Sequence, residues 1–159
     1  MTLTGPSIAR GKSRQDYGTP PELLHAVRER FGKLQVDLAA TPDNAVAPDY
    51  LTPVSDSLGA DWTGQFAGLR CWLNPPFADI EPWARKCASQ SEMGLEVLLL
   101  VPASVGSNWF REWVWRRADV YFLSPRITFV GCKDPYPKDV MLCHYRRGNL
   151  GGMGPWVWR

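Results

Sequence analysis

The tetrapeptide Asn74-Pro75-Pro76-Phe77 combines the groups needed to hold a planar amine. Its two prolines fix the backbone angle φ and remove two N–H donors, so the turn is stiff and offers carbonyl acceptors. The Asn74 side-chain oxygen and the Pro75 carbonyl oxygen can accept both hydrogens of an exocyclic amine, while the Phe77 ring stacks on the attached heterocycle. These four residues alone equally fit a Pro-Pro loop that ends a strand.

The position of the tetrapeptide favours a ligand site over a simple loop. Residues 70–73 form a predicted short strand that runs directly into Asn74, and residues 34–39 form another. The nearly uninterrupted apolar run at residues 95–101 is typical of a central parallel strand covered on both faces. Because ligands of open α/β sheets bind beyond the carboxyl ends of the strands, the tetrapeptide is the leading candidate site.

Helices are predicted between these strands. Thr19-Pro20-Pro21-Glu22 has the pattern of a capping box with Thr19 as the N-cap, and Gly32 supplies a stop. Asp79 and Ser107 can begin two further helices with apolar residues at helical spacing. Three more strands are expected, at residues 120–123, 127–130 and 140–145. The alternation predicts an α/β fold, with a mostly parallel sheet, antiparallel strands toward its C-terminal edge and helices on both faces.

Composition limits the number of domains and the class of protein. The chain has 159 residues, 45% of them hydrophobic and 21% charged, which fits one globular domain and excludes a wholly disordered, collagenous or coiled-coil chain. Its 18 basic against 16 acidic side chains give a net charge of +2, too balanced to indicate a polyanionic partner. The four cysteines are widely spaced with no C-x-x-C pair, so we expect reduced core thiols and no metal.

The chain divides by composition into three parts. Residues 1–16 are predicted to be a flexible basic arm, because they lack apolar periodicity. Residues 17–147 form the single expected domain, and residues 148–159 are expected to be a Gly- and Trp-containing tail. No apolar stretch reaches the length of a membrane span and no signal-peptide segment is apparent, so a soluble protein of the cytoplasm is expected.

Asn-Pro-Pro-Phe resembles the catalytic tetrapeptide of S-adenosylmethionine-dependent methyltransferases that act on adenine N6, cytosine N4 or glutamine amides. Further motifs follow in a characteristic order: Tyr17-Gly18-Thr19-Pro20-Pro21-Glu22, Val36-Asp37-Leu38-Ala39-Ala40, Asp61-Trp62, Trp72-Leu73-Asn74-Pro75-Pro76-Phe77, Leu100-Val101-Pro102-Ala103, Trp109-Phe110 and, later, Phe122-Leu123-Ser124-Pro125-Arg126-Ile127-Thr128-Phe129. That order resembles the small phage-type, Dam-like DNA N6-adenine methyltransferases. The resemblance implies a Rossmann-like methyltransferase sheet and methyl transfer from S-adenosylmethionine to the N6 amine of a flipped adenine, in the host cytoplasm for a phage-encoded protein.

The resemblance also implies cofactor contacts before and after the first strand. The implied residues are Tyr17, Thr19, Pro20, Asp37, Ala39 and Asp56. The Asp37 carboxylate would pair with the methionine amino group of the cofactor, and Asp56 would face its adenine end. Thr19 also fits a simple helix cap, and Asp37 fits an ordinary turn residue. No Gly-x-Gly follows Asp37, in contrast to the usual pattern, so the small side chains of Ala39 and Ala40 would have to substitute.

DNA is the implied partner, and basic residues are candidates to contact its phosphates. The candidates are Arg10, Lys12, Arg14, Arg111, Arg126 and Lys133, together with Arg116, Arg117 and Lys138. Because the chain leaves little room for a separate recognition domain, a short recognition sequence read by loops such as residues 131–139 is expected. The alternatives are a cytosine N4 or protein glutamine methyltransferase, and a noncatalytic nucleic-acid-binding module that uses the Trp residues and the basic arm.

Overall fold

A computed structural model describes residues 18–52 and 56–159. The basic arm at residues 1–16 therefore lies outside the described residues. The first helix, α1 (Pro21–Phe31), begins after Pro20, and Gly32 ends it with a left-handed φ of 100°. The capping-box prediction is wrong in one respect: Pro20 occupies the N-cap position, and no side chain from residue 18 onward in the described ranges caps the helix. The Thr19 hydroxyl has a different partner, described below.

In the part of the chain that the structure describes, seven strands form one sheet. They are β1 (Val36–Asp37), β2 (Asp49–Tyr50), β3 (Arg70–Leu73), β4 (Glu96–Pro102), β5 (Asp119–Ser124), β6 (Val140–Tyr145) and β7 (Met153–Val157). Their order across the sheet is β2-β1-β3-β4-β6-β5-β7. β1 is parallel to β2 and β3, β3 is parallel to β4, and β5 is parallel to β7, whereas β6 is antiparallel to both β4 and β5. The predicted mixed α/β sheet is confirmed.

The C-terminal part of the sheet differs from the prediction in two places. Residues 127–130 form no strand, and only Val130 makes a single bridge, to Gly18. Ile127 and Phe129 are buried all the same, because this segment covers the core as a loop. β7 was not predicted, since its glycine and proline are typical of turns. It lies within the expected tail and pairs with β5 through bonds such as Val120 N–H to the Gly152 carbonyl, 2.8 Å.

Helices cover both faces of the sheet, as predicted. The remaining helices are α2 (Trp62–Phe66), α3 (Glu81–Glu92) and α4 (Asn108–Trp113), with a 3-10 turn at Ser57–Gly59. Helices α2, α3 and α4 pack on one face of the sheet against alternate residues of β4, such as Val97 and Leu99. The opposite face of β4, with Leu98 and Leu100, is covered by α1, the loop at residues 127–136 and Trp158. Successive residues of β4 face opposite sides of the sheet, and both sides are covered, so the strand is apolar throughout.

Within the described ranges, no helix is both long and apolar enough to span a membrane. All four cysteines are free thiols, and Cys71, Cys87 and Cys143 are buried. Burial raises the pKa of the Cys71 thiol to about 12. Residues 18–52 and 56–159 hold no cluster of three or more His, Cys, Asp or Glu side chains that could bind a metal ion.

Candidate active site

The Asn74 side chain lies at the carboxyl end of β3 and contacts the segment that precedes α1. Its Nδ2 donates a hydrogen bond of 3.1 Å to Thr19 Oγ1. Thr19 is buried, with 8% of its surface exposed, so its hydroxyl is held in place by the surrounding core. This bond directs the amide nitrogen of Asn74 toward Thr19 and fixes the orientation of the amide plane.

The Phe77 ring belongs to a cluster of three aromatic side chains. It makes edge-to-face contacts with Phe129 and Tyr136, at centroid distances of 6.0 and 5.8 Å. Phe129 and Tyr136 also contact each other at 5.5 Å. Edge-to-face pairs are a favoured geometry, so the three rings hold one another in position. Phe77 is only partly buried and also lines a recess of about 230 Å³ together with Trp109, Tyr136 and Lys138.

A second cavity lies on the other side of the tetrapeptide. It has a volume of about 290 Å³. Its lining residues are Ala39, Ala40, Thr41, Asn44, Asp56, Ser57, Leu58, Asn74, Pro76 and Trp83. Four of the predicted site residues thus meet here, Ala39 and Asp56 from the cofactor set and Asn74 and Pro76 from the tetrapeptide. The mixture of apolar walls and a few polar groups is typical of a small-molecule site.

Asp37 ends β1 beside this cavity, and its carboxylate organises the loop that follows. Oδ1 accepts from the Ala39 N–H at 3.2 Å and Oδ2 accepts from the Val46 N–H at 3.1 Å. Only 3% of the residue is exposed, and burial raises the pKa of the Asp37 carboxyl to about 6 although the two backbone hydrogen bonds lower it. Asp37 also lines a narrow crevice with Thr19, Ala39 and Asn74.

Asp56 and Ser57 enter the cavity from the 3-10 turn. Asp56 adopts the left-handed region at φ 51°, which aspartate enters more readily than most non-glycine residues. The Ser57 hydroxyl donates to the Leu38 carbonyl at 2.5 Å. The Trp62 indole in turn donates to the Ser57 carbonyl at 2.8 Å. The turn is therefore tied to the loop after β1.

Lys86, on α3, contacts the same turn through its side chain. Its ammonium group donates to the Leu58 carbonyl at 2.6 Å and also to the Ala60 carbonyl. It lies 4.8 Å from the centroid of the Trp62 ring, within range of a cation–π interaction. Burial lowers the pKa of Lys86, while Asp61 and Asp56 oppose that effect. Lys86 thus holds the backbone of the turn without entering the cavity.

Among the basic residues predicted to contact DNA that the structure describes, Lys138 lines the recess at Phe77, whereas Arg111, Arg126 and Lys133 line neither cavity at the tetrapeptide. Tyr17, Arg10, Lys12 and Arg14 lie outside the described residues. Pro20 is buried at the start of α1 and is absent from the lining of the cavity. Arg126 forms an ion pair of 3.0 Å with Asp139, and Lys133 is exposed on the loop at residues 131–139. Arg111 lies in a separate cavity formed by the ends of α3 and α4.

Sequence reasoning missed several cavity residues. Asn44, in the loop after β1, and Trp83, on α3, both line the cavity. Nothing in the local sequence around Asn44 or Trp83 indicates that these two distant segments face each other. The motif Asp61-Trp62 was the available signal, because Trp62 anchors the turn that carries Asp56 and Ser57.

A family profile and two individual proteins match the chain, and all three carry the same description. The profile of the family described as DNA N-6-adenine-methyltransferase (Dam) matches residues 7–140. The chain is 30% identical over 123 residues to the DNA N-6-adenine-methyltransferase of Haemophilus phage HP1, covering 75% of this chain and 69% of that protein. It is 27% identical over 115 residues to the DNA N-6-adenine-methyltransferase of Escherichia phage T1, covering 72% of this chain and 47% of that protein. The chain thus aligns with about half of the phage T1 protein.

Proposed function

The chain belongs to the DNA N-6-adenine-methyltransferase family, and we propose that it transfers a methyl group from S-adenosylmethionine to adenine N6 in DNA at the turn Asn74-Pro75-Pro76-Phe77. One observation carries the assignment of the site. The turn separates two cavities, one lined by Asn74 and Pro76 and the other by Phe77. A donor and an acceptor bound in them would meet at the turn.

The cavity at Asn74 suits S-adenosylmethionine. Its volume of about 290 Å³ is close to the lower end of the range for ligand pockets, and Ala39, Leu58 and Trp83 provide apolar walls. Asp37 supplies a buried carboxylate beside it, which fits the ammonium group of a methionine moiety. No Gly-x-Gly follows Asp37, and the small side chain of Ala39 lines the cavity instead. When bound, the cofactor supplies an electrophilic methyl group on a positively charged sulfur.

The recess at Phe77 suits the adenine. An amine inside duplex DNA cannot reach a recess of this kind, so the target nucleotide must be rotated out of the helix at a cost of a few kcal/mol. The Phe77 ring replaces a stacking partner that the base loses. Because Phe129 and Tyr136 hold that ring, it is positioned before the base arrives.

The chemistry needs positioning and charge stabilisation from the protein. Asn74 Oδ1 and the Pro75 carbonyl accept the two N6 hydrogens, which directs the lone pair of N6 toward the methyl carbon. With both molecules bound, the N6 lone pair would form the new carbon–nitrogen bond as the carbon–sulfur bond breaks and its electron pair stays on sulfur. The two acceptors stabilise the positive charge that develops on N6 until one proton is lost to solvent. Thr19 keeps the Asn74 amide in the orientation this requires.

Incubation of the full chain with methyl-labelled S-adenosylmethionine and duplex DNA, followed by digestion to nucleosides, tests the proposal. Label in N6-methyladenine is the expected result, with Asn74→Ala as the inactive control. Label in N4-methylcytosine or in a protein glutamine would contradict the assigned substrate. A noncatalytic module would give no label and no rise in Tm on addition of the cofactor, whereas a cofactor-binding enzyme is stabilised against unfolding.

A further inference from the structure

A separate cavity lies at the opposite end of the sheet from the tetrapeptide. It has a volume of about 670 Å³. It is formed by the end of α3, the end of α4 with the segment after it, and the turn after β6. Because β6 is antiparallel to β4, this turn lies at the amino-terminal edge of the parallel strands. The seven residues of β4 span about 20 Å, which separates this cavity from the tetrapeptide.

Arginine side chains dominate this distal cavity. The five that line it are Arg111, Arg116, Arg117, Arg146 and Arg147, all exposed. Only two acidic residues, Glu92 and Glu112, line it with them, which gives a formal charge of +3. The whole chain carries +2, so the rest of the molecule is on balance slightly negative. Positive charge is therefore concentrated at this edge and not at the tetrapeptide, where the recess is lined by Asp79, Glu81 and Lys138.

Hydrogen bonds from side chains to backbone carbonyls connect the segments that form the cavity. The Asn149 side chain donates to the Arg117 carbonyl at 2.7 Å, and Arg117 Nε donates to the Glu112 carbonyl at 2.9 Å. Arg147 Nη2 donates to the Glu92 carbonyl, at the end of α3, at 3.0 Å. These bonds join the turn after β6 to both helices. Each guanidinium has five N–H donors, so most donors remain available to a ligand.

The ion pairs within the cavity are long. Arg111 lies 3.6 Å from Glu112, and Arg117 lies 3.5 Å from Glu92. The Arg116 guanidinium lies 4.6 Å from the centroid of the Trp115 ring, which is itself 48% exposed, and Arg116 has a left-handed φ of 61°. An exposed cation on an exposed indole, held by uncommon backbone geometry, is an arrangement suited to an anionic ligand.

We propose that this distal arginine cavity binds backbone phosphates of the DNA duplex that flanks the target adenine. Guanidinium groups match phosphate oxygens in a bidentate geometry, and phosphate contacts supply much of the affinity of proteins for DNA. A separation of about 20 Å corresponds to about six base pairs at 3.4 Å each, so a duplex that runs along α3 and α4 reaches from the tetrapeptide to the cavity. The inference rests on the proposed function, because it takes the substrate to be DNA.

Two matched double variants and two lengths of DNA test the proposal. Arg116→Gln/Arg147→Gln removes two charges from the cavity, and Lys33→Gln/Arg159→Gln removes two charges elsewhere, since Lys33 and Arg159 do not line it. Affinity is measured against salt concentration with a duplex of about 24 base pairs and with a hairpin-capped duplex of about eight, each centred on the target. The shorter duplex extends about 14 Å on either side of its centre and cannot reach the cavity.

For the cavity variant we expect about tenfold weaker binding of the long duplex and a log–log salt slope smaller by about 2, with binding and methylation of the short duplex unchanged. Equal losses on both duplexes, equal losses in the control variant, or no loss would each overturn the proposal. Methylation of the short duplex by the unmodified protein is the separate test of the proposed function, so failure of that function is distinguishable from failure of the cavity.

Discussion

Asn74 and Thr19 are 55 residues apart in the sequence and are joined by a hydrogen bond of 3.1 Å from Nδ2 to Oγ1. The bond connects the end of β3 with the segment before α1. Thr19 was expected either to contact the cofactor or to cap α1. The observed bond gives it a further role as a positioning residue for Asn74, while it also lines the narrow crevice with Asp37.

Thr19→Val should reduce kcat by about 100-fold, because loss of the hydroxyl frees the Asn74 amide to rotate away from the acceptor amine. Thr19→Ser keeps the hydroxyl and should retain activity within a few-fold. Single-turnover methylation gives the rate, and calorimetry gives the Kd for S-adenosylmethionine. If both variants bind the cofactor poorly and react equally slowly, Thr19 acts on the cofactor and not through Asn74.

Asn74→Ala should lower the methylation rate by a factor of about 100 to 1,000, the range seen when one group that stabilises transition-state charge is removed. Cofactor affinity should change only a few-fold. Asn44→Ala is the contrasting variant, since Asn44 lines the cofactor cavity and its side chain accepts from the Thr41 N–H at 2.7 Å. We expect that variant to weaken cofactor binding. An active Asn74→Ala protein would refute the assigned role of Asn74.

Affinity for S-adenosylmethionine should depend on pH through Asp37. With a pKa of about 6 in the ligand-free protein, the carboxyl is charged at pH 7 and becomes neutral as the pH falls. The Kd should therefore rise up to tenfold for each pH unit below about 6, because a neutral carboxyl does not pair with the ammonium group. Asp37→Ala should bind weakly at every pH and lack this dependence. Asp43→Ala, in the exposed part of the same loop, should follow the unmodified protein.

The same carboxyl affects the stability of the ligand-free protein. The pKa of Asp37 in the folded protein, about 6, lies above the ordinary aspartate value of 3.8, so the folded state binds more protons than the unfolded state between these values. The contribution of Asp37 therefore favours folding at low pH and is lost as the pH rises through 6, a change of about 3 kcal/mol. Comparison of urea unfolding of the unmodified protein and Asp37→Ala from pH 4 to 7 measures it.

Lys86→Met should weaken cofactor binding by about tenfold, since two carbonyl groups of the turn that carries Asp56 and Ser57 lose their hydrogen-bond donor. Arg85→Met is the matched control, because Arg85 directly precedes Lys86 on α3 and its side chain is 58% exposed. Calorimetry with S-adenosylmethionine compares the two variants. Equal affinities in both would show that the turn holds its shape without Lys86.

Much of the fold could be predicted because its signals are local. The uninterrupted apolar run of β4 predicts a strand buried on both faces, and prolines directly after β3 predict a stiff turn at its end. Ser107 illustrates the same point for helices, since its side chain accepts from the Phe110 N–H at 3.2 Å as an N-cap should. In each case the residues that decide the structure lie within one element.

The predictions fail where a residue distant in the sequence determines the local structure. Thr19 has the local pattern of a cap, but its hydroxyl bonds to Asn74 from another part of the chain. Residues 127–130 alternate like a strand, but Ile127 and Phe129 alternate because they cover the core. The arginines of the distal cavity come from two distant segments, so spacing along the chain could not show that they share one cavity.

The pairing of β7 with β5 also determines how the sheet ends. Gly152 and Trp158 bond to β5, at 2.8 and 3.0 Å, so alternate residues between them also face β5, and Met153, Pro155 and Val157 face outward in the plane of the sheet. Proline has no N–H, so the centre of this border lacks the donor that a strand from a neighbouring molecule would require. This feature protects β7, the strand at this edge of the sheet, from edge-to-edge aggregation.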